Sequence, residues 1–350
     1  MKIPVLTLIY FAQVVLSATT LNAQSKETNN VLRTKIDSFL NASASNGFSG
    51  TVLVSIKGEI VLSKGYGWAD RENRIPNTSA TVYNIGSVTK QFTASAILKL
   101  VEQSKVKTTD YISLFYNQAP SDKKDITIHQ LLTHTSGIVN YTSLTNFNEL
   151  KTKQHSPEQL IQLFKDLPLK FTPGAEYDYS NSNYVLLGFL INRISGMSYA
   201  DFINQYIFTP LTMTNSHYGQ DKIGINNIAQ GYSGNAQSGD ISMSVPYAAG
   251  ALSSTTEDMY LWHQAMTNNT LLDQTNTELM FTPVLQGYAL GWYETTINNQ
   301  VALAHSGGID GFSTMTIRSK SGDIVVTVLS NQESFPAAEF GNQLFKKLLN

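Results

Sequence analysis

Short apolar runs predict β-strands near both ends of the chain. Gly50–Ile56 and Glu59–Lys64 are two such runs, and the Lys57-Gly58 pair between them favours a tight hairpin turn. The same pattern returns towards the other end, at Val301–Ala304, Phe312–Arg318 and Ile324–Leu329. The two ends of the chain are therefore expected to supply the strands of the fold.

Apolar residues spaced three and four positions apart predict helices elsewhere. One helix begins near Ser87 and runs to about Glu102. Another begins at about Asn183 and stops at Gly196, a residue type that commonly ends helices. Further helices are predicted from the apolar positions Leu32, Ile36, Phe39 and Leu40, around Tyr199–Phe208, from near Thr255, and at Ala337–Leu349.

This order of elements predicts an α/β protein of the α+β kind. One antiparallel sheet is expected to be built from both termini and flanked by helices, with a mostly helical region inserted between them. The sheet part is expected at about residues 30–85 and 285–350, and the helical part at about 88–280. Since no repeat or linker divides the chain, residues 24–350 are expected to form a single domain.

The first residues have the pattern of an export signal. Lys2 precedes an apolar run from Ile3 to Leu16, and small and polar residues follow. We predict a signal peptide at residues 1–23, cut after Ala23, with a cut after Ala18 as the alternative. The run is short for a bilayer, so no stable membrane span is expected after its removal, and a retained anchor is the second interpretation. The protein is predicted to be periplasmic or extracellular.

The amino-acid composition of the chain argues against several classes of function. The 350 residues carry a formal net charge of −2 without a basic stripe, which argues against a nucleic-acid partner. Cysteine is absent, which excludes disulfides, thiol catalysis and cysteine-based metal sites. His129 and His134 are five positions apart rather than four, so no metal is predicted, and His134 is expected to fix its own turn. Phosphate-loop and dinucleotide motifs are also lacking, so no cofactor is expected.

Ser87-Val88-Thr89-Lys90 is the first candidate for chemistry. Residues three apart share a helical face, so Lys90 can place its amine beside the Ser87 hydroxyl and activate it as a nucleophile. The ordinary alternative is a helix start with a surface lysine. The pattern also occurs at Ser104…Lys107 and Ser121…Lys124, but these lie in polar stretches that are typical of solvated surface. Ser87 alone follows a glycine and opens an apolar helix.

Tyr179-Ser180-Asn181 is the second candidate. The motif precedes the helix predicted from Asn183, so we expect it to lie in a loop. A tyrosine near a lysine ammonium can act as a base and then as an acid, and Asn181 can hold a substrate amide. A tyrosine-rich turn with asparagine as a helix cap is the alternative interpretation.

His305-Ser306-Gly307-Gly308 follows the strand Val301–Ala304 and is the third candidate. Its glycines would let a substrate backbone lie close to a strand edge, and Gly308 N–H could pair with Ser87 N–H as an oxyanion hole. Lys320-Ser321-Gly322 has the same residue pattern, but it lies between two predicted strands. We interpret it as a hairpin turn away from the chemistry.

The motifs Ser-x-x-Lys, Tyr-x-Asn and Lys/His-Ser/Thr-Gly, in this order, resemble those of the penicillin-recognising serine hydrolases. That family includes class C β-lactamases, DD-peptidases and related esterases. The resemblance extends over about residue 30 to the end of the chain. The stretches that carry it are Gly86–Thr93, Leu131–Gly137, Tyr177–Gly188, Gly250–Asp258 and Ala304–Phe312.

The resemblance implies a role for each residue of the three motifs. Ser87 would be the acylated nucleophile, and Lys90 and Tyr179 would share the acid and base steps, without the sequence deciding which is the base. The substrate would be bound by Asn181, His305, Ser306 and Gly307, and the oxyanion by Ser87 and Gly308.

His305 departs from the commonest form of the third motif, where β-lactamases of this type carry lysine. Histidine is mostly neutral at neutral pH, so a charged contact to a substrate carboxylate would be lost. An arginine elsewhere in the chain, Arg318, is a candidate to supply the missing charge. The departure favours a D-amino-acid peptidase or esterase acting on a small molecule or peptide, with cell-wall peptide as one candidate. A true β-lactamase and a non-catalytic module that binds peptidoglycan remain the alternatives.

Overall fold

The computed structural model describes residues 29–219 and 227–349. The predicted signal peptide at 1–23 and its cleavage site lie outside these residues, as does the predicted start of the domain at 24. The first described element is helix α1, at 29–45. Its residues Ile36 and Leu40 are buried, as the helical spacing predicted, because they face the sheet core.

Six antiparallel strands form the central sheet, in the order β10 (Tyr293–Ile297), β11 (Gln300–Ile309), β12 (Phe312–Ser319), β13 (Ile324–Ser330), β1 (Gly50–Ile56) and β2 (Glu59–Tyr66). Strands from the two ends of the chain meet where β13 pairs with β1, so the predicted fold class is confirmed. The strands of the described residues are β1 Gly50–Ile56, β2 Glu59–Tyr66, β3 Trp68–Asp70, β4 Ile75–Pro76, β5 Tyr83–Asn84, β6 His217–Tyr218, β7 Tyr232–Ser233, β8 Ala236–Gln237, β9 Leu252–Ser254, β10 Tyr293–Ile297, β11 Gln300–Ile309, β12 Phe312–Ser319 and β13 Ile324–Ser330.

Two predicted hairpin turns are confirmed. Lys57 and Gly58 both have positive φ, 50° and 78°, as the two-residue turn between β1 and β2 requires. Lys320-Ser321-Gly322 joins the antiparallel strands β12 and β13, which removes it from consideration as the third motif.

Helices make up most of the middle of the chain, and one more helix is its last element. Two short helices begin with the capping boxes Thr127/Gln130 and Ser156/Gln159, which satisfy free N–H groups of their first turns. The helices after α1 are α2 Thr89–Glu102, α3 Ile128–Leu132, α4 Phe147–Leu150, α5 Pro157–Gln162, α6 Asn181–Ser195, α7 Tyr199–Ile203, α8 Tyr247–Gly250, α9 Thr256–Asn268, α10 Gln274–Met280 and α11 Ala337–Leu348.

The sheet has a hydrophobic core on each side. On one face, α1 and α11 pack over apolar residues of the strands. On the other face, α9 packs on β1 and β13, and the larger core continues into the helical region around α2 and α6. α2 is buried on nearly all sides, and the turn of 3₁₀ helix that precedes it, Gly86–Val88, packs against β11. In the part of the chain that is described, no helix combines the length and the apolar character that a bilayer span requires.

Candidate active site

Ser87 lies in a single turn of 3₁₀ helix, Gly86–Val88, that leads directly into α2. Gly86 has φ 52°, and a β-carbon on it would stand 3.0 Å from both the nitrogen and the oxygen of Gly308. Only glycine is tolerated easily in this backbone conformation and at this close approach. The turn is thereby pressed against β11, and the half-buried Ser87 side chain faces a cleft.

Lys90 has no exposed surface, and its amine contacts three oxygen atoms. Nζ lies 3.0 Å from Ser87 Oγ, 2.8 Å from Asn181 Oδ1 and 2.8 Å from Ala249 O. None of these oxygens belongs to a carboxylate. Burial without a balancing negative charge holds the pKa of Lys90 well below its usual value, because the charged form is poorly solvated.

Tyr179 lies beside both groups. Its ring centroid is 4.8 Å from Lys90 Nζ, and its hydroxyl interacts with the Ser87 side chain. Burial raises the pKa of Tyr179 above its usual value, and the interaction with Ser87 only partly offsets this. Ser87, Lys90 and Tyr179 are therefore brought together, and both ionisable groups favour their neutral forms.

Asn181 is the first residue of α6, which begins two residues before the predicted start at Asn183. Its backbone N–H donates to Asn140 Oδ1 at 3.1 Å, so the free end of the helix is satisfied by a neighbouring loop. Its side-chain amide donates to Thr142 Oγ1 at 3.3 Å, while its oxygen accepts from Lys90. Asn181 lines the cleft, and its side chain joins the lysine to the cleft wall.

The third motif lies within β11 rather than after it, because the strand continues to Ile309. β10 pairs with β11 only as far as Ala304, so from His305 onward β11 pairs with β12 alone. The opposite edge is open in this stretch, and Ser306 and Gly308 are exposed. Gly307 has no space for a β-carbon, which would stand 2.1 Å from Ile85 O. Its glycine lets the open strand edge lie against the Ser87 turn.

His305 is buried and has both ring nitrogens engaged. Nδ1 lies 2.6 Å from the carbonyl oxygen of Ser306, which can only accept, so we assign the proton to Nδ1. Nε2 then accepts from the Tyr288 hydroxyl at 3.2 Å. Burial and the nearby Lys90 lower the pKa of His305 to about 3, so the imidazole is neutral at physiological pH.

The structure places the other residues considered from sequence away from the cleft. Ser104 and Ser121, with their lysines, are exposed surface residues, as predicted. The Arg318 guanidinium does not replace the missing lysine charge, since it donates to His263 O and Thr267 Oγ1 of α9. Its side chain is buried there and points to the helix rather than to the cleft.

His134 was not recognised from sequence as part of this site. Its Nδ1 accepts from Ser180 N–H at 3.2 Å, and its ring lies 4.3 Å from the ring of Tyr179. The expectation that it fixes only its own turn was too narrow, because it holds the Tyr179 loop. The one available signal was its place in the family-like stretch Leu131–Gly137. Tyr288, whose hydroxyl donates a hydrogen bond to His305, belongs to no motif from which its role could have been predicted.

Ser87, Asn181 and Gly308 line a common cleft of about 210 Å³. Two larger surface cavities, of about 410 and 500 Å³, contain none of the predicted site residues. Within residues 29–219 and 227–349, no cluster of histidine and acidic side chains is suited to hold a metal ion. The arrangement can support attack of a serine hydroxyl on a carbonyl carbon, with an amine and a phenol positioned to move protons.

The sequence and the fold are similar to those of known proteins. The family model Beta-lactamase matches residues 34–348. A Bacillus subtilis protein described as "Putative penicillin-binding protein PbpX" is 33% identical over 309 residues, 86% of this chain and 75% of that protein. Protein flp of Staphylococcus aureus is 29% identical over 318 residues, and the match covers 86% of this chain and 63% of flp.

Solved structures show the same similarity. The octameric penicillin-binding protein homologue from Pyrococcus abyssi has a TM-score of 0.79 and 28% identity, covering 90% of this chain and 77% of that one. A D-stereospecific amidohydrolase from Streptomyces sp. has a TM-score of 0.72 and 25% identity, covering 84% and 92%. The family match spans most of the sequence. The chain therefore belongs to the Beta-lactamase family and is a serine hydrolase of the β-lactamase and penicillin-binding superfamily.

Proposed function

We propose that this protein hydrolyses an amide or ester bond through an acyl-enzyme on Ser87, as a D-amino-acid peptidase or esterase. The observation that carries the proposal is the Lys90 amine, fully buried and 3.0 Å from Ser87 Oγ with no carboxylate among its contacts. A serine hydroxyl becomes nucleophilic when a neighbouring base takes its proton. A buried, uncompensated amine at this distance is suited to that task.

The contacts of Lys90 favour it over Tyr179 as the base. A neutral amine has two N–H donors and one lone pair. Asn181 Oδ1 and Ala249 O accept hydrogen bonds, so they occupy both donors. The lone pair is then directed to the Ser87 hydroxyl, and the lowered pKa of Lys90 keeps it unprotonated.

Tyr179 is proposed as the acid for the leaving group. As Ser87 Oγ bonds to the carbonyl carbon, its proton passes to Lys90. The raised pKa of Tyr179 keeps the phenol protonated, so it can donate to the leaving nitrogen or oxygen when the scissile bond breaks. Proton transfer from Lys90 to Tyr179 then restores both groups. Water next bonds to the acyl carbon and gives a proton to Lys90, the ester bond to Ser87 Oγ breaks, and Lys90 returns the proton to Oγ as the acid product leaves.

We assign the oxyanion hole to the N–H groups of Ser87 and Gly308. Both residues line the cleft, and the Ser87 turn packs directly on Gly308. The open edge of β11 from His305 onward, with Ser306 and Gly307, is proposed to bind the substrate backbone. Asn181 is proposed to orient a substrate amide by exchanging its bond with Thr142.

His305 argues against efficient β-lactamase activity. Its imidazole is buried and neutral, and both nitrogens are used within the protein, so it offers no charge to a substrate carboxylate. A lost charge-assisted contact weakens binding by about 1.5–3 kcal/mol. The similarity to a D-stereospecific amidohydrolase favours a D-amino-acid amide or peptide instead. A cell-wall peptide, met in the periplasm or outside the cell after export, is the substrate class we propose.

The test is turnover of an activated ester, D-amino-acid amides and peptides, and a chromogenic β-lactam by the mature chain. We expect ester and D-amino-acid turnover in the wild type, with an adduct mass on Ser87, and loss of both in Ser87→Ala. Ser104→Ala is the matched control, since Ser104 opens an exposed copy of the same Ser-x-x-Lys pattern. Its activity should equal that of the wild type.

Other outcomes of this panel would replace the proposal. β-Lactam turnover exceeding that of the D-amino-acid substrates, and lost in Ser87→Ala, would assign the protein as a β-lactamase. Peptidoglycan binding that survives Ser87→Ala, with no turnover of any probe, would assign a non-catalytic binding module.

A further inference from the structure

Asp310 is the one charged side chain among the described residues that line the Ser87 cleft. It follows directly after β11, two positions beyond Gly308, and one-fifth of its side chain is exposed. Lys90 lies beneath the cleft with its amine already engaged by Ser87, Asn181 and Ala249. In the described part of the chain, the cleft wall therefore presents one carboxylate to a substrate.

Asp310 is paired with a cation that the loop over the cleft supplies. Lys151 Nζ lies 2.5 Å from Asp310 Oδ2, and both side chains are partly exposed. Lys151 follows α4, whose Phe147 also lines the cleft, and its carbonyl accepts from Ser242 N–H at 2.8 Å. Asp310 Oδ1 has no hydrogen-bond partner among the described residues. The carboxylate thus binds an ammonium group at the cleft wall and has an oxygen free for a second one.

Asp310 lies towards the acyl part of a bound substrate. Tyr179, the proposed acid for the leaving group, is at the His305 end of the β11 edge, with 6.2 Å between the two ring centroids. Asp310 begins the turn that follows β11, so it lies on the side of Gly308 opposite to His305. A carbonyl oxygen held at Gly308 N–H places the leaving group towards Tyr179 and the acyl group towards Asp310.

We propose that Asp310 is a specificity-determining residue that binds a positively charged amine on the acyl part of the substrate. This rests on the proposed acyl-enzyme function. Lys151 occupies the position of that amine in the free protein, and the substrate ammonium displaces it or binds beside it at Oδ1. The substrate class is an amide or ester whose acyl group carries a free amine several bonds from the carbonyl.

A neighbouring cavity of about 210 Å³ supports the same charge preference. It shares Ile241 and Asp310 with the Ser87 cleft and adds a second carboxylate, Asp240. No basic side chain is among its described lining residues. A longer cationic acyl group would pass from one cavity to the other across Asp310.

The test compares ω-aminoacyl substrates with n-alkanoyl substrates of equal length, on the leaving group that the wild type turns over best. The two series differ only in –NH₃⁺ against –CH₃. We expect the wild type to favour the aminoacyl series in kcat/KM. Asp310→Asn should lower the aminoacyl-to-alkanoyl ratio about five- to tenfold, because a charged acceptor is replaced by a neutral one. Lys151→Met should raise the ratio, since it removes the competing ammonium.

The control is Asp37→Asn, which removes a carboxylate from a partly exposed ion pair with Lys64 outside the cleft and should leave the ratio unchanged. An unchanged ratio in both cleft variants would overturn the inference. The inference would also be overturned if the wild type preferred ω-carboxyacyl substrates and Lys151→Met abolished that preference. In that case Lys151, and not Asp310, would bind the charged group of the substrate. Turnover of the uncharged alkanoyl substrates, and its loss in Ser87→Ala, tests the acyl-enzyme proposal without involving Asp310. The acyl-enzyme proposal and the Asp310 inference can therefore fail independently.

Discussion

Lys90 combines two properties that a surface lysine does not have. Its side chain has no exposed surface, and its amine is held at fixed distances by Asn181, Ala249 and Ser87. Burial disfavours the ammonium form, so the folded protein binds the Lys90 proton less tightly than the unfolded chain does. The same burial that suits Lys90 to its proposed role as a base therefore makes stability depend on pH.

Lys90→Met should change this pH dependence of the free energy of unfolding. Between the lowered folded pKa of Lys90 and the unfolded value near 10.5, the unfolded chain carries one more proton, so wild-type stability rises with pH. The wild type should gain up to about 1.4 kcal/mol per pH unit relative to Lys90→Met as the pH rises from the lowered pKa of Lys90 towards the unfolded value. Urea unfolding at several pH values measures the difference. Parallel stability curves would contradict a buried, neutral amine.

The rate of acylation should also follow the Lys90 amine. Below the pKa of Lys90 the base is protonated, so kcat/KM should fall about tenfold per pH unit towards acid. The raised pKa of Tyr179 keeps the phenol protonated, so no alkaline loss is expected up to about pH 10. Background-corrected ester hydrolysis across this range provides the profile. A bell-shaped curve falling between neutral pH and about pH 9 would point to a different pair of groups.

At the scale of elements, β11 serves two purposes along its length. Its first half is a sheet strand paired on both sides, and its second half pairs only with β12. Gly307 lies where this second half touches the Ser87 turn, and Thr314 Oγ1 of β12 donates to Ile85 O at 2.9 Å. The distance between the proposed nucleophile and the open strand edge therefore depends on two residues without a side chain, Gly86 in the turn and Gly307 in the strand.

Gly307→Ala should separate these elements. The new β-carbon would stand 2.1 Å from Ile85 O and 2.4 Å from Thr314 Oγ1, so backbone must move. We expect destabilisation of about 1–3 kcal/mol and a loss of kcat, because the proposed oxyanion donors, Ser87 N–H and Gly308 N–H, lose their alignment. Gly308→Ala is the matched control for stability, since its β-carbon would meet nothing within 4 Å. Equal unfolding midpoints for the two variants would show that the contact at Gly307 is unimportant.

At the scale of the whole molecule, the active site depends on contacts between distant parts of the chain. β13 lies between β12 and β1, so the sheet is continuous only when both ends have joined it. α11 covers this junction with Phe340, Leu344 and Phe345, which are buried against the strands. Loss of this cover should weaken the sheet on which β11 rests.

Phe345→Ala should test the role of this cover. The side chain is fully buried, so truncation leaves a cavity and should cost about 3–5 kcal/mol of unfolding free energy. Leu114→Ala, at a leucine side chain that is 65% exposed, should change stability by less than about 0.5 kcal/mol. Chemical denaturation of both variants measures the two changes in unfolding free energy. A small effect of Phe345→Ala would mean that α11 is only loosely attached.

Much of the fold could be predicted from local patterns. The hairpin at Lys57-Gly58 and the Gly196 helix end are predicted correctly, because backbone conformation there depends on neighbouring residues. The ends of elements were less accurate: β11 continues through the third motif and α6 begins at Asn181. Sheet pairing extended the strand, and the Asn140 side chain satisfied the earlier helix start. Both causes lie far away in sequence.

The sequence by itself determined the fold class and the three motifs that mark the family, because these depend on periodicity and on short, ordered groups of residue types. Only the tertiary structure decided that Lys90 is buried without a carboxylate, that His305 is buried with both ring nitrogens engaged, and that Arg318 points elsewhere. Charge state depends on burial and on partners in three dimensions. Those partners, such as Ala249 and Tyr288, come from segments that carry no motif.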